Sequence, residues 1–191
     1  MSWMSADEKI RQVDLSSLEV LRYPDPRLRE TCTPVEQVDA YVRALVGRMF
    51  ELMFAARGVG LAASQVGLSV RLFIASPTFA PEDRRVYINP RIIAAEGSQE
   101  GDEGCLSFPS MYCKVKRHSV VTIRAQNLDG KWFEETGEEL AARIFEHEID
   151  HLSGSLLVDR MGSVAKLAHR RALRDLEEKF TEAVKGIAGS R

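Results

Sequence analysis

The sequence predicts an α+β fold in which antiparallel strands are grouped together and the helices are kept apart from them. Apolar periodicity runs in the order helix, several strands, helix, helix. The strands are joined by hairpin signals rather than by crossover helices. Length and composition agree: 191 residues, 45% hydrophobic and 28% charged, suit a single domain with one substantial core and argue against disorder.

Residues 1–16 are polar and mixed, with Trp3 the only large apolar anchor, and read as a loosely held N-terminal arm. Leu18, Val20 and Leu21 begin an extended segment that Tyr23-Pro24-Asp25-Pro26 breaks, because proline disfavours helix at the residue before it. Thr33-Pro34-Val35-Glu36 reads as a helix start, with a capping hydroxyl, a proline at the first helical position and a glutamate completing a capping box. Val38, Val42, Leu45, Val46, Met49, Leu52 and Met53 share one face and Gly58 is a stop, which predicts a helix over 35–56. A small, glycine-rich stretch follows at 58–67. Strands are expected over 70–75, ended near Pro77, and over 86–94, interrupted at Pro90, with 96–104 a loop or irregular strand. Residues 119–125 alternate, with Val121 and Ile123 on one side and Val120 and Thr122 on the other. Asp129-Gly130 turns the chain and 131–135 returns as the partner strand. Residues 138–151 are helical, with Leu140, Ile144, His147 and His151 in register, and Gly154 is a stop. A long amphipathic helix over 164–184 carries Leu173, Leu176, Phe180 and Val184 as a stripe.

Several function classes drop out at this level. Lys+Arg number 26 and Asp+Glu 28, so a net charge of −2 gives no electrostatic reason to expect nucleic acid as a partner. No run of 18 apolar residues exists to span a membrane, and the N-terminus lacks the apolar segment of a signal peptide. Three cysteines suit a reduced compartment, so the protein is expected to be cytoplasmic, with its thiols available for metal or chemistry.

His147-Glu148-Ile149-Asp150-His151 is an H-E-x-x-H sequence. On a helix, residues four apart lie on one face, so His147 and His151 can share one metal while Glu148 reaches a bound water as general acid/base. The third ligand decides the reaction class. A metzincin would continue to a third histidine, but Leu157 stands there. A thermolysin-like enzyme needs a downstream acid, and Glu177 and Glu178 sit among charges on a surface-like helix. Upstream, Glu103-Gly104-Cys105-Leu106-Ser107 offers a thiolate, and Cys105 with two imidazoles makes a tripod with one position left for water.

Three segments now stand in order: Gly58-Val59-Gly60-Leu61-Ala62-Ala63-Ser64-Gln65, Glu103-Gly104-Cys105-Leu106-Ser107 and His147-Glu148-Ile149-Asp150-His151-Leu152. Together they resemble the three signature motifs of the peptide deformylases, and the resemblance extends over residues 18–162. It implies a peptide deformylase-like fold, with antiparallel sheets around a central metal-binding helix and a C-terminal helix. It also implies removal of formyl from the N-terminal formyl-methionine of new polypeptides, releasing formate. By resemblance Cys105, His147 and His151 are the ligands of one ion, usually Fe²⁺, with Zn²⁺, Ni²⁺ or Co²⁺ able to take its place. Glu148 matches the catalytic acid/base, Gln65 the amide facing the oxyanion, and the Leu106 N–H its second donor. Val59 and Gly60 match the backbone that pairs with the peptide as an added strand. Leu61 and Ile144 are candidate walls of the methionine pocket.

The chemistry asks for these parts. A metal lowers the pKa of bound water to about 7, which supplies hydroxide to attack the formyl carbon. One oxyanion donor is typically worth about 3–4 kcal/mol. Glu148 then carries the water proton to the leaving amine. A thiolate ligand exposes Fe²⁺ to oxidation, so activity is expected to decay in air with iron bound and to hold better with nickel. Equal aerobic half-lives of the two forms would refute this.

Some residues depart from the family pattern. Glu146 stands where glutamine is usual, with an expected effect on hydrogen bonds around His147. Arg143 stands where an aliphatic pocket residue is common, and its stem is expected to line the pocket with its charge at the rim. Arg117 is expected to brace the motif loops by pairing with a carboxylate such as Glu103. Ser64 receives no role. Cys32 and Cys113 read as structural thiols, and a Cys105–Cys113 disulfide is the less favoured reading. The resemblance offers the ribosomal exit-tunnel region as a partner for the 164–184 helix, but packing on the body or at a dimer interface is preferred, and monomer and homodimer both remain open. The rival functions are a zincin peptidase, an inactive relative that binds formylated chains, and a thiol redox protein. Leu157, the intact Glu148 and the lack of a C-x-x-C count against them in turn.

Overall fold

In the computed structural model of the chain, which describes residues 11–188, a five-stranded antiparallel sheet runs in the order β1-β2-β3-β6-β7. The strands are β1 (Gly60–Ala62), β2 (Leu72–Ala75), β3 (Arg85–Glu96), β6 (Val120–Gln126) and β7 (Trp132–Glu138). β4 (Gln99–Cys105) and β5 (Phe108–Arg117) form a separate antiparallel hairpin. The helices are α1 (Ala40–Ala55), α2 (Leu140–Leu152), the single-turn α3 (Leu157–Arg160) and α4 (Ser163–Ala188). The α+β class, the antiparallel sheets and the C-terminal helix are thus present as expected. Among the described residues, no helix is long and apolar enough to cross a membrane.

α1 and α2 cover opposite faces of the sheet. Leu72 and Ile74 of β2 pack with Leu45, Met49 and Met53 of α1, whereas Phe73 and Ala75 pack with Ala142, Phe145 and Leu152 of α2. A strand buried on both faces cannot alternate polar and apolar residues, which is why β2 is a continuous Leu-Phe-Ile-Ala run. β6 faces α2 with Val121, Ile123 and Ala125 while its other positions are half-exposed, the predicted alternation. A third cluster lies under α4, where Met111, Cys113 and Val115 of β5 meet Leu157, Leu173 and Leu176.

The boundaries differ from the sequence reading in instructive ways. α1 begins at Ala40, capped by Asp39 Oδ1, which accepts from Val42 N at 3.0 Å. The predicted cap, Thr33, is committed elsewhere: its N–H donates to Ser69 O and its carbonyl accepts from Arg71 N. Val35 N donates to Asn89 Oδ1, so tertiary pairing consumes the backbone groups that a helix start would need. β3 runs on to Glu96, and its pairing is interrupted around Pro90 as expected, with register shifts between Ile88 and Arg91 and between Ile92 and Ala94. A bulge absorbs the missing N–H. Segment 99–105 is a strand, irregular at its end where the register shifts between Gly104 and Cys105, and it pairs with β5, for which the sequence reading had no element. Of the expected arm, residues 1–10, including Trp3, lie outside the described residues. Val13 and Leu15 pack on the α1 cluster, and Tyr41 Oη donates to Val13 O at 3.2 Å.

Candidate metal and active centre

α2 and the β4–β5 hairpin bring the chemistry together. His147 and His151 lie one turn apart on the buried face of α2, and Cys105 sits at the end of β4 where the hairpin turns. Cys105 Sγ is 3.3 Å from His151 Nε2, which is 3.2 Å from His147 Nε2, and all three atoms fall within 4.8 Å of one another. Glu103 Oε1 lies 2.6 Å from His147 Nδ1, so that nitrogen donates and the Nε2 lone pair points at the other two donors. Three ligand atoms, one thiol sulfur and two imidazole nitrogens, thus converge on one point. A soft thiolate with two imidazoles suits a divalent transition ion, so the residues fit a metal.

The carboxylate behind His147 is itself held. Arg117 donates to Glu103 at 2.7 and 3.1 Å, and Arg143 donates to it at 2.9 Å. Arg117 also reaches Asp150 at 2.6 Å, and Asp150 accepts from Arg160 Nε at 2.8 Å. Burial pushes the Glu103 carboxyl up, but His147 and Arg117 more than offset it and hold it well below the usual range. The expected Arg117–Glu103 pair is present. Asp150, Arg143 and Arg160 as further members were not foreseen, although Arg143 and Asp150 lie one turn either side of His147.

Glu148 is only 4% exposed, and its Oε2 has no hydrogen-bond partner. Burial is the main cause that raises its pKa to about 7. Gln65 lies in a short turn, Ala63–Val66, where its Oε1 accepts from Ala62 N at 2.9 Å. That bond aims its Nε2 at Ser107 Oγ (3.2 Å) and Cys105 Sγ (3.5 Å). Ser64, given no role from sequence, donates to the carbonyl of His151 at 3.2 Å and so ties this turn to α2.

A cavity of about 600 Å³ opens over these groups. Gln65, Cys105, Leu106, His147 and Glu148 line it, as do Val59, Gly60 and Ile144. His151 lies at the back of the cluster, 1% exposed. Leu61 does not line the cavity; it is wholly buried in the α1 cluster. Arg143 departs from expectation. It lines the cavity, but its guanidinium turns inward to Glu103 and the Val115 carbonyl rather than to the rim. A buried carboxylate attracts it more strongly than the solvent at the mouth does. Glu146 points away from His147 and instead accepts from His118 N at 2.8 Å. All three cysteines are free thiols.

Gly60 is the tightest point of the wall. A Cβ there would run into the Glu148 carboxylate, 2.9 Å from its Cδ. Gly60→Ala should therefore displace Glu148 and cut turnover by about tenfold or more, since small misplacements of reacting groups are expensive. Metal content should stay at wild-type level. Steady-state kinetics beside metal analysis checks both halves.

The sequence profile described as polypeptide deformylase matches residues 17–167. The chain belongs to the polypeptide deformylase family. Among its relatives, the peptide deformylase of Acidobacterium capsulatum is 47% identical over 160 residues, 83% of this chain and 94% of that protein. The peptide deformylase of Alkalilimnicola ehrlichii is 42% identical over 178 residues, 92% of this chain and 99% of that one. A plant peptide deformylase crystal structure superposes with a TM-score of 0.86 at 38% identity, covering 90% of this chain and 95% of its own. A peptide deformylase from Plasmodium falciparum gives 0.84 at 34%, covering 86% and 98%. Membership of the deformylases makes the chain a hydrolase of the formyl amide. The family is one of metalloenzymes, and the Cys105–His147–His151 cluster can hold an ion.

Proposed function

We infer that the chain hydrolyses the formyl amide of N-formylmethionyl polypeptides at the Cys105–His147–His151 centre, releasing formate and a free methionine amine. The observation that carries this reading is the convergence of those three donors, with Cys105 and His147 lining one cavity and His151 behind them, beside the buried Glu148, whose Oε2 has no hydrogen-bond partner. When bound, a divalent ion supplies a water acidified to near-neutral pKa and an electrophilic contact for the formyl oxygen. Fe²⁺ is the ion we assign, with Zn²⁺, Ni²⁺ or Co²⁺ as substitutes. Glu148 takes the proton of the attacking water and returns it to the departing nitrogen. A pKa near 7 suits a group that must do both. The Gln65 amide and the Leu106 N–H serve as oxyanion donors, supported by the bond that fixes Gln65 Oε1 and leaves its NH₂ facing the cavity. Val59 and Gly60 offer backbone to the peptide, and Ile144 offers an apolar wall to its first side chain.

Formate release from formyl-Met-Ala-Ser tests the reading, using protein loaded with Fe²⁺ under anaerobic conditions or with Ni²⁺. We expect stoichiometric formate and no cleavage of unformylated Met-Ala-Ser. Absence of formate from metal-replete protein would sink the assignment. Cleavage of the unformylated peptide would favour a peptidase.

A further inference from the structure

A second, larger cavity is not used by the chemistry above. α4 is tied to the body as far as Glu177: Leu173 and Leu176 pack on the β5 cluster, His169 Nε2 donates to the Tyr112 carbonyl at 2.9 Å, and Tyr23 Oη donates to Glu177 at 2.9 Å. Between α4, from Ala172 to Val184, and segment 19–27 lies a groove of about 890 Å³. Its floor is apolar, formed by Val20, Leu21, Met111 and Phe180, and Val184 stands 49% exposed at its end. Its charged lining is balanced: Glu19 and Asp175 stand against Arg22 and Lys179, and the buried Asp25 is paired with Arg27. Arg22, Pro109, Ser110 and Met111 line both this groove and the metal cavity, and Arg22 and Ser110 are exposed where the two meet.

We propose that this groove holds the downstream residues of the formylated polypeptide itself, as an extended, sequence-tolerant strand leaving the metal cavity over Arg22 and Ser110. The proposal rests on the deformylase reading, because only a polypeptide substrate has a continuation to accommodate. The metal cavity encloses the first few residues, and the chain beyond them must cross its rim. At the rim shared with the groove it meets apolar surface instead of water. The balanced charge of the groove disfavours a strongly charged occupant, and a continuous apolar floor accepts the alternate side chains of an extended chain of varied sequence. Ala172 to Val184 spans about 18 Å of helix, enough for roughly five extended residues at about 3.3 Å each. The contacts therefore involve residues from about the fourth to about the eighth of the substrate.

The test compares kcat/KM for formyl-Met peptides of three and ten residues with metal-loaded full-length protein. The longer peptide, carrying leucine and valine at its fifth to eighth positions, should gain about tenfold, expressed mainly in KM. Gly-Ser at those positions should remove the gain. Phe180→Glu and Val184→Glu should each bring the ratio of long to short peptide towards one. Val184 is half-exposed, so that substitution keeps the helix, which circular dichroism checks. Equal kcat/KM for both lengths overturns the proposal, as does a gain that neither substitution touches, since the chain would then leave by another route. A homodimer dissociated by Val184→Glu with an unchanged ratio overturns it too and assigns the groove to a second copy. Turnover of the three-residue peptide reads the deformylase assignment separately, so the two failures are distinguishable.

Discussion

Glu148→Ala should lower the turnover of a formylated tripeptide by about 10²–10⁴-fold, the range of a positioned acid/base. The same substitution should raise the thermal stability of the protein. The two effects have one cause. Glu148 is buried, its Oε2 lacks a partner, and burial lifts its pKa to about 7, so the fold bears the cost of desolvating a carboxyl that nothing satisfies. A buried unsatisfied polar group costs about 1–3 kcal/mol, and removing it should return a part of that. In a chain of this size each kcal/mol is worth about 2–4 °C in Tm. Alanine also leaves a void, so the isostere Glu148→Gln separates the terms: it keeps the volume, loses the proton-carrying group and should be equally inactive. Metal content should match wild type in both variants, because Glu148 is not among the converging donors. Turnover within tenfold of wild type in Glu148→Gln would remove Glu148 from the acid/base role.

How much of this was legible in the sequence depends on which contacts decide each element. β2, β6 and α2 announce themselves because burial alone selects their residues, as in the Leu72–Ala75 run and the Val121/Ile123/Ala125 alternation. β5 alternates just as strictly, with Met111, Cys113, Val115 and Arg117 inward and Tyr112, Lys114 and Lys116 outward. It escaped notice because one inward position is an arginine, which looks polar until its buried partner Glu103 is known. The start of α1 was misread because Thr33 satisfies every local rule for a cap, yet pairing with segment 69–71 takes its backbone. Local chemistry could not reveal that competition. At the site, the ligands follow from helical spacing and one glycine-flanked cysteine. The charges behind them depend on how β4, β5 and α2 meet in space, which explains why Arg143 was expected at the rim and lies instead on Glu103.

Glu103→Gln should destabilise the protein more than any substitution of a metal ligand in the apo form. Glu103 is a buried carboxylate that answers two guanidiniums, Arg117 and Arg143, and orients His147. A glutamine keeps the shape but turns one acceptor oxygen into a donor that faces guanidinium N–H groups. Arg117 is then left with Asp150, which is already engaged by Arg160, and Arg143 keeps only the Val115 carbonyl and Gln99 Oε1 as acceptors. Removing one member of a buried ionic group typically costs about 3–5 kcal/mol, which at about 2–4 °C per kcal/mol lowers Tm by roughly 6–20 °C. His147 also loses the acceptor that fixes its Nδ1 proton, so metal affinity should fall about 10–100-fold. The double variant Glu103→Gln/Arg143→Met discriminates between these two losses. Deleting one of the uncompensated cations should restore part of the stability, while metal affinity stays low because the carboxylate behind His147 is still absent. Calorimetry of the apo protein and metal competition titrations read the two quantities separately. If affinity recovers together with stability, Glu103 acts on the metal only by holding the fold. If stability recovers alone, its bond to His147 is a distinct device for presenting Nε2 to the ion.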